Sequence, residues 1–251
     1  MRTASGSGDE EGRICGLLAV DIAGFSSSGR DDDIQHYLRA ALYGMLECAF
    51  NRSDVPWLEC AHDDRGDGAL VAIPSAIPVT RVLGPLPNAL GEMLRRHNRL
   101  SSGLARIRLR VVAHVGYVSR DSRGFVGNDV IHTCRLLDAP SLREHLAASR
   151  EEMVFAVSDY VFHTIIRQNV TQADPESFLP LRINVKETNT RAWARVPANG
   201  SPTKISAIVA QQKTVPPPGL TAVAMTGGLE SRRCARKGSL KVLMMDSCSG
   251  E

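Results

Sequence analysis

The chain has 251 residues, 43% of them hydrophobic, and a formal net charge of +3. That length and apolar share suffice for one good-sized core with a tail, and the charge is too mild for a nucleic-acid partner. No apolar run approaches the about eighteen residues of a membrane span, and residues Met1 to Gly12 are Gly/Ser-rich and acidic without the apolar block of a secretory signal. Six cysteines (15, 48, 60, 134, 234 and 248) show neither C-x-x-C nor paired spacing. They read as reduced thiols of a cytoplasmic protein, most of them filling the core. All five lysines lie at Lys186 or later, so no lysine of the first 185 residues can clamp a phosphate or read a base.

In chain order, Ile14 to Asp21 is a nearly continuous apolar run and predicts a central strand. Gly24 permits a close turn, and Ser26 to Asp31 is loop, with Asp31 or Asp32 capping the helix that follows. Ile34, Leu38, Ala41, Met45 and Cys48 fall at steps of three and four, so that helix is amphipathic and packs on the sheet. Asn51 to Pro56 breaks it. Trp57 to His62 and Ala69 to Ile73 predict two short strands forming a hairpin around Asp63-Asp64-Arg65-Gly66-Asp67-Gly68. A proline-punctuated connection, Pro74 to Pro87, leads to a helix through Leu90, Met93, Leu94 and His97. Ile107 to Val118 is the longest predicted strand, Ser119 to Gly127 a polar loop, and Asn128 to Ala139 a helix. A short helix from Pro140, a strand at Met153 to Val157 and a helix at Asp159 to Arg167 follow. Leu181 to Val185 and Arg191 to Val196 predict a last hairpin. The leading order is βαββαβ, so the expected class is α+β with a ferredoxin-like core.

Asp21 and Asp67 each stand where an apolar strand gives out, beside a glycine. Taken singly, either carboxylate is as well explained as a turn cap. Together, on neighbouring strand ends, they suit Mg²⁺ or Mn²⁺, which prefer oxygen ligands and arrive with nucleotide phosphates. His114 reads as a satisfied strand histidine, and Trp57 and Trp193 as core residues. His62 and Asp64 read as polar turn residues. After Pro197 the periodicity stops, and three prolines at 216–218 and seven basic against three acidic residues mark residues 198–251 as a disordered basic tail. The expected organisation is a disordered 1–13, one domain at 14–197, and that tail.

Four segments carry a resemblance to a known family. They are Val20-Asp21-Ile22-Ala23-Gly24-Phe25-Ser26, Gly66-Asp67-Gly68, Leu109-Arg110-Val111-Val112-Ala113-His114-Val115-Gly116, and Gly127 with Arg135-Leu136 eight residues on. In this order and spacing they resemble the class III nucleotide cyclases, the adenylate and guanylate cyclase catalytic domain, over roughly residues 14–196. The resemblance implies that a nucleoside triphosphate is converted to a 3′,5′-cyclic nucleotide and pyrophosphate, in signalling. It matches Asp21 and Asp67 to the ligands of two Mg²⁺ or Mn²⁺ ions. One ion would lower the pKa of the ribose 3′-hydroxyl and the other screen the triphosphate. The amides of Ile22, Ala23, Gly24 and Phe25 match the turn that accepts the β- and γ-phosphates. Arg135 matches the arginine that stabilises charge on the α-phosphate. Because family sites combine residues of two protomers, it also implies a homodimer, or a heterodimer with a related chain.

The sequence departs from the family pattern at three places. Ile131 stands where the family has a catalytic asparagine, and an alkyl group can neither donate nor accept. Asp63 stands at the first base-reading position, where its acceptor oxygens suit guanine N1/N2 or cytosine N4. Gly124 falls at the second and offers only backbone. Lys186 lies near the family's phosphate-binding lysine, with a gap in the match. Two functional classes follow: an active nucleotide cyclase, favoured by the paired aspartates, and a catalytically weak or inactive cyclase-homology domain that binds nucleotide as a regulatory or dimerisation module.

Overall fold

The computed structural model describes residues 10–195. The expected tail at 198–251 and the first nine residues lie outside them. The strands are β1 (Glu10–Ile22), β2 (Ala61–Asp64), β3 (Gly68–Pro74), β4 (Leu109–Asp121), β5 (Gly124–Val126), β6 (Met153–Ser158), β7 (Leu179–Val185) and β8 (Thr188–Arg195). The helices are α1 (Asp32–Arg52), α2 (Val79–Leu83), α3 (Pro85–Leu100), α4 (Asn128–Leu137), α5 (Pro140–Ala148) and α6 (Asp159–Thr164).

One sheet runs β2-β3-β1-β4-β6-β8-β7, with β5 hairpinned onto β4. Every neighbouring pair is antiparallel except β4 and β6. The first four strands therefore lie in the order that a split βαβ unit imposes, β1 flanked by β3 and β4. The chain is α+β, as its βαββαβ pattern predicted. Among the described residues no helix is long and apolar enough to cross a membrane.

Strand alternation sorts the side chains into two layers. Leu18, Val20 and Ile22 of β1 join Val71, Val111 and Phe155 in one cluster, which α1 and α3 cover with Leu38, Leu42, Leu46, Phe50, Leu90 and Leu94. Residues of opposite parity face the other way: Leu17, Ala19 and Leu70 pack with Val130 of α4, and Val112, Val154 and Ala156 pack with Leu136, Leu142 and Leu146 of α4 and α5. The buried stripe of α1 is Leu38, Leu42, Met45, Leu46, Ala49 and Phe50. The predicted Cys48 lies outside it and is exposed.

Several boundaries moved, each for a local reason. β1 starts at Glu10, not Ile14, because the long β4 offers it partners as far as Arg120, with a bulge between Glu10 and Arg13. The predicted strand at Trp57 is a 3-10 turn, Trp57–Glu59. Pro56 precedes it, the Asn51 side chain accepts the Trp57 N–H at 3.1 Å, and β2 pairs only from Ala61. The connection from Pro74 contains α2, and α3 begins at Pro85, where the missing proline N–H costs nothing. The polar loop after Val118 is a hairpin: Ser119 pairs with Val126 and Asp121 with Gly124. The final hairpin turns at Lys186 and Glu187 rather than across residues 187–190, and Lys186 takes a left-handed φ of 51°. Trp57 is buried, whereas Trp193 is half-buried and stacks on Phe162 with centroids 3.7 Å apart.

One buried side chain fixes how α3 feeds β4. Asn98, 6% exposed, accepts the Ile107 N–H at 2.8 Å and donates to the Ile107 carbonyl at 2.7 Å. Both main-chain groups would otherwise be buried without partners. Asn98→Ala should cost about 2–4 kcal/mol, one unpaired donor and one unpaired acceptor together, read as a lower urea midpoint at unchanged slope.

Candidate functional site

The site is built where β1 ends. Asp21 shares the face of Leu17 and Ala19, and pairs in register with Gly68 of β3 on one side and Arg110 of β4 on the other. Close approach of the strands demands glycine at 68: a Cβ there would lie 2.0 Å from the Val20 carbonyl. The Ile22 N–H donates to the Asp67 carbonyl at 2.9 Å, so the β2–β3 turn abuts the end of β1 and sets Asp67 beside Asp21. From α1, Arg39 holds this turn by pairing with Asp64 and donating to the Gly66 carbonyl. Asp64 is thus an ion-pair partner rather than a free turn residue.

Asp21 and Asp67 open onto one cavity of about 110 Å³. Three acids, Asp21, Asp67 and Asp138, and three bases, Arg65, Arg110 and Arg143, line it. The central contact is between Asp21 and Arg110. The guanidinium Nε donates to Oδ1 at 2.7 Å and Nη2 to Oδ2 at 2.6 Å, a bidentate bond between side chains 8% and 11% exposed. Burial pushes the Asp21 carboxyl above the ordinary aspartate value. Arg110 opposes that shift, and the charges of Asp67 and Asp138 add to it. Arg110 did not stand out in the sequence, although a signal was there. It lies between Leu109 and Val111 in a buried strand, where a charge persists only if paired.

Asp21 and Asp67 suit a divalent cation in kind. Both offer oxygen only, and the charge repulsion that Asp67 and Asp138 add to the burial of Asp21 is what a cation relieves. Among the described residues no group of three or more His, Cys, Asp or Glu forms a ready cage. The remaining ligands would have to come from substrate oxygens and water, the usual arrangement for Mg²⁺. Arg110 would have to yield at least one Asp21 oxygen.

The other predicted site residues are placed less uniformly. The phosphate turn is narrower than expected: Ile22 donates its N–H to Asp67 and Ala23 donates to the Arg108 carbonyl at 2.8 Å. Among the described residues, the amides of Gly24 and Phe25 have no backbone acceptor. Gly24, at φ 67°, reverses the chain there. Asp63 and Gly124 do come together, but not as free readers. Asp63 Oδ1 accepts from Arg120 at 3.1 Å and Oδ2 from the Phe125 N–H at 2.9 Å. The acceptor capacity expected to favour guanine or cytosine is therefore already engaged within the chain.

Arg135 does not line the cavity. It donates to Thr188 Oγ1 at 2.9 Å and pairs with Glu187 at the β7–β8 turn. Ile131, one helical turn earlier, is 48% exposed. His114 is satisfied, with Ser158 Oγ 2.8 Å from Nδ1 and Asp129 Oδ1 3.2 Å from Nε2, and burial holds its imidazole below the ordinary histidine pKa.

No protein-family model matches the chain, and no curated protein matches it in sequence. Its fold does match solved structures. The guanylyl cyclase Cya2 is 15% identical, with a TM-score of 0.53 over 74% of this chain and 93% of that one. An adenylate/guanylate cyclase/hydrolase from Silicibacter pomeroyi is 22% identical, also at 0.53, over 75% of this chain and 99% of that one. A bacterial light-regulated adenylyl cyclase is 12% identical at 0.53, over 74% of this chain and 52% of that one. The chain has the fold of a class III nucleotide cyclase catalytic domain.

Replacing Arg110 isolates what the ion pair contributes. In Arg110→Met the Asp21 carboxyl keeps its burial and its acidic neighbours but loses its one opposing influence, so its pKa rises further. A carboxyl whose folded pKa exceeds its unfolded value costs stability above the folded pKa, and that cost vanishes as pH falls through it. The variant should therefore lose about 3–5 kcal/mol at pH 8, the cost of breaking a buried pair, and visibly less at pH 5. Urea melts of both proteins at the two pH values measure this.

Proposed function

We propose that this chain is a nucleotide cyclase, converting a nucleoside triphosphate to a 3′,5′-cyclic nucleotide and pyrophosphate. One observation carries the reading: on a cyclase fold, Asp21 and Asp67 meet at one cavity, beside a turn whose Gly24 and Phe25 amides are free to take phosphate oxygens. The ribose 3′-oxygen attacks the α-phosphorus and its proton passes to solvent. The bond from the α-phosphorus to the α,β-bridging oxygen breaks, and pyrophosphate leaves. Asp21 and Asp67 would hold two Mg²⁺ or Mn²⁺ ions, which when bound supply Lewis-acid polarisation of the phosphates and a lowered pKa for the 3′-hydroxyl. As substrate enters, Arg110 turns from Asp21 to phosphate oxygens, exchanging one bidentate anion for another.

Arg135 supports a two-chain site. It is tied to the β7–β8 turn and away from the cavity that holds the aspartates. A homodimer, or a heterodimer with a related chain, brings the arginine of one protomer to the aspartate pair of the other. The sequence expectation of a catalytic unit at 14–197 is extended back to Glu10, because residues 10–13, expected to be disordered, belong to β1; the unit operates in the cytoplasm in signalling.

A second reading has its own support: a weak or inactive cyclase-homology domain that binds nucleotide as a regulatory or dimerisation module. Ile131 is exposed where a polar group belongs, and both Asp21 oxygens are occupied by Arg110. Incubation with each of four nucleoside triphosphates and Mn²⁺, followed by mass spectrometry of the products, separates the readings. Cyclic product supports the enzyme; tight triphosphate binding without product supports the module.

Asp21→Asn and Asp67→Asn should each abolish Mn²⁺-dependent triphosphate binding or turnover with the fold intact, because asparagine keeps the size and removes the charge. Variants that bind Mn²⁺ and triphosphate like the parent would refute the metal assignment. Ile131→Asn should raise turnover at saturating triphosphate by roughly a hundredfold, the effect of one preorganised donor at developing charge. Its affinity for nucleotide should hardly change, since that bond tightens in the transition state. No gain over background moves the assignment to the regulatory module.

A further inference from the structure

Arg30 precedes α1 and belongs to none of the site residues above. Its Nη1 donates to the Gly24 carbonyl at 2.9 Å, its Nε to the Leu104 carbonyl at 3.1 Å and its Nη2 to the Arg106 carbonyl at 2.6 Å. No carboxylate among the described residues pairs with it. All three guanidinium nitrogens serve main-chain carbonyls, one in the phosphate turn and two in the loop that leads into β4. The residue is itself anchored: its N–H donates to Ser27 at 3.1 Å, and its carbonyl accepts from Gln35 Nε2 of α1 at 3.0 Å. The side chain is therefore a strut between the first turn of α1, the turn at Gly24 and the loop that leads into β4.

What the strut fixes follows from peptide geometry. In a trans peptide the C=O of one residue and the N–H of the next point in opposite directions. The Gly24 carbonyl is held by Arg30 and by the Ser27 N–H at 3.1 Å, so the Phe25 N–H is turned the other way. Gly24 sits at φ 67°. Glycine rotates there with little steric resistance, so the residue that permits the turn cannot by itself hold the plane in place. Two planes earlier, the Ala23 N–H is moored to the Arg108 carbonyl, two residues beyond the Arg106 carbonyl that Arg30 grips.

We propose that Arg30 is a positioning residue that locks the Gly24–Phe25 peptide plane and so sets the affinity of the turn for a triphosphate chain. The inference rests on the reading of Gly24 and Phe25 as the phosphate cradle. It is separate from the metal site, because Arg30 contacts neither Asp21 nor Asp67. Lysine cannot replace it fully, since one ammonium does not reproduce a planar fork aimed at three carbonyls.

The experiment uses the full chain, its Arg30→Met and Arg30→Lys variants, and inorganic tripolyphosphate at saturating Mn²⁺ as a base-independent probe, titrated by calorimetry. Mn²⁺ alone, followed by electron paramagnetic resonance, reports the aspartate pair. Arg30→Met should lower tripolyphosphate affinity by about tenfold to a hundredfold, the worth of one hydrogen bond to a charged group, and leave Mn²⁺ affinity unchanged. Arg30→Lys should fall between variant and parent. Amide spectra recorded with diamagnetic Mg²⁺ in place of Mn²⁺ should show the Phe25 N–H moving on tripolyphosphate addition in the parent and not in Arg30→Met. Parent-like tripolyphosphate affinity in the variants, or equal loss of tripolyphosphate and Mn²⁺ binding, overturns the proposal. Should Arg30→Met not fold, Arg30→Lys decides by the same measure. A parent that binds no tripolyphosphate instead overturns the cyclase reading beneath it, and the strut with it.

Discussion

The bidentate bond between Asp21 and Arg110 is the contact on which the rest of the cavity depends. It joins the two central strands, and it places opposite charges where water hardly reaches. Such a pair is tolerable only because its geometry is good and each charge answers the other. Around it the cavity is balanced, three carboxylates against three guanidinium groups. Anything that enters must respect that balance. A bare anion meets the acids and a bare cation meets the arginines, whereas a triphosphate accompanied by divalent ions brings both signs at once. On the function proposed above, the resting ion pair would favour the joint entry of metal and nucleotide over either alone.

Main-chain constraints explain why Asp21 and Asp67 meet at all. The β1–β3 register sets Asp21 opposite Gly68, and only a residue without a side chain lets the strands approach that closely. Gly66, at φ 82°, reverses the chain just before. The turn is then fastened from α1 by Arg39, and the β1 exit by the Ile22 and Ala23 amides. Those two amides serve the scaffold, and on the function proposed above the next two take the phosphates. Rigidity and function divide the turn between them.

Much of this was legible in the chain itself. The apolar run into Asp21, the stepwise pattern of α1, the glycines at 66 and 68 and the long β4 each carry a period or a punctuation mark that survives folding. The βαββαβ order then leaves few arrangements open. What stayed hidden depends on distant partners. Trp57 has strand propensity but sits behind a proline and an asparagine that cap a 3-10 turn. β5 is three residues long and exists because β4 overruns its expected end. The engagement of Asp63 by Arg120 and Phe125 spans 57 and 62 positions, and the grip of Arg30 on residues 104 and 106 spans 74 and 76. No local pattern encodes such contacts. Arg110 was the one hidden residue with a local sign, a lone charge in a buried strand.

The meeting of Asp63 and Gly124 has a consequence for how this protein can change. Gly124 adopts φ 131°, and a Cβ on it would fall 2.6 Å from Asp63 Oδ2. The two positions are 61 residues apart in sequence yet share one volume. A side chain at 124 must displace the carboxylate at 63, and with it the acceptor of Arg120 and of the Phe125 N–H. Substitution at 124 is therefore penalised unless the carboxylate at 63 moves with it. A side chain introduced at 124 alone thus leaves Arg120 without the carboxylate it pairs with.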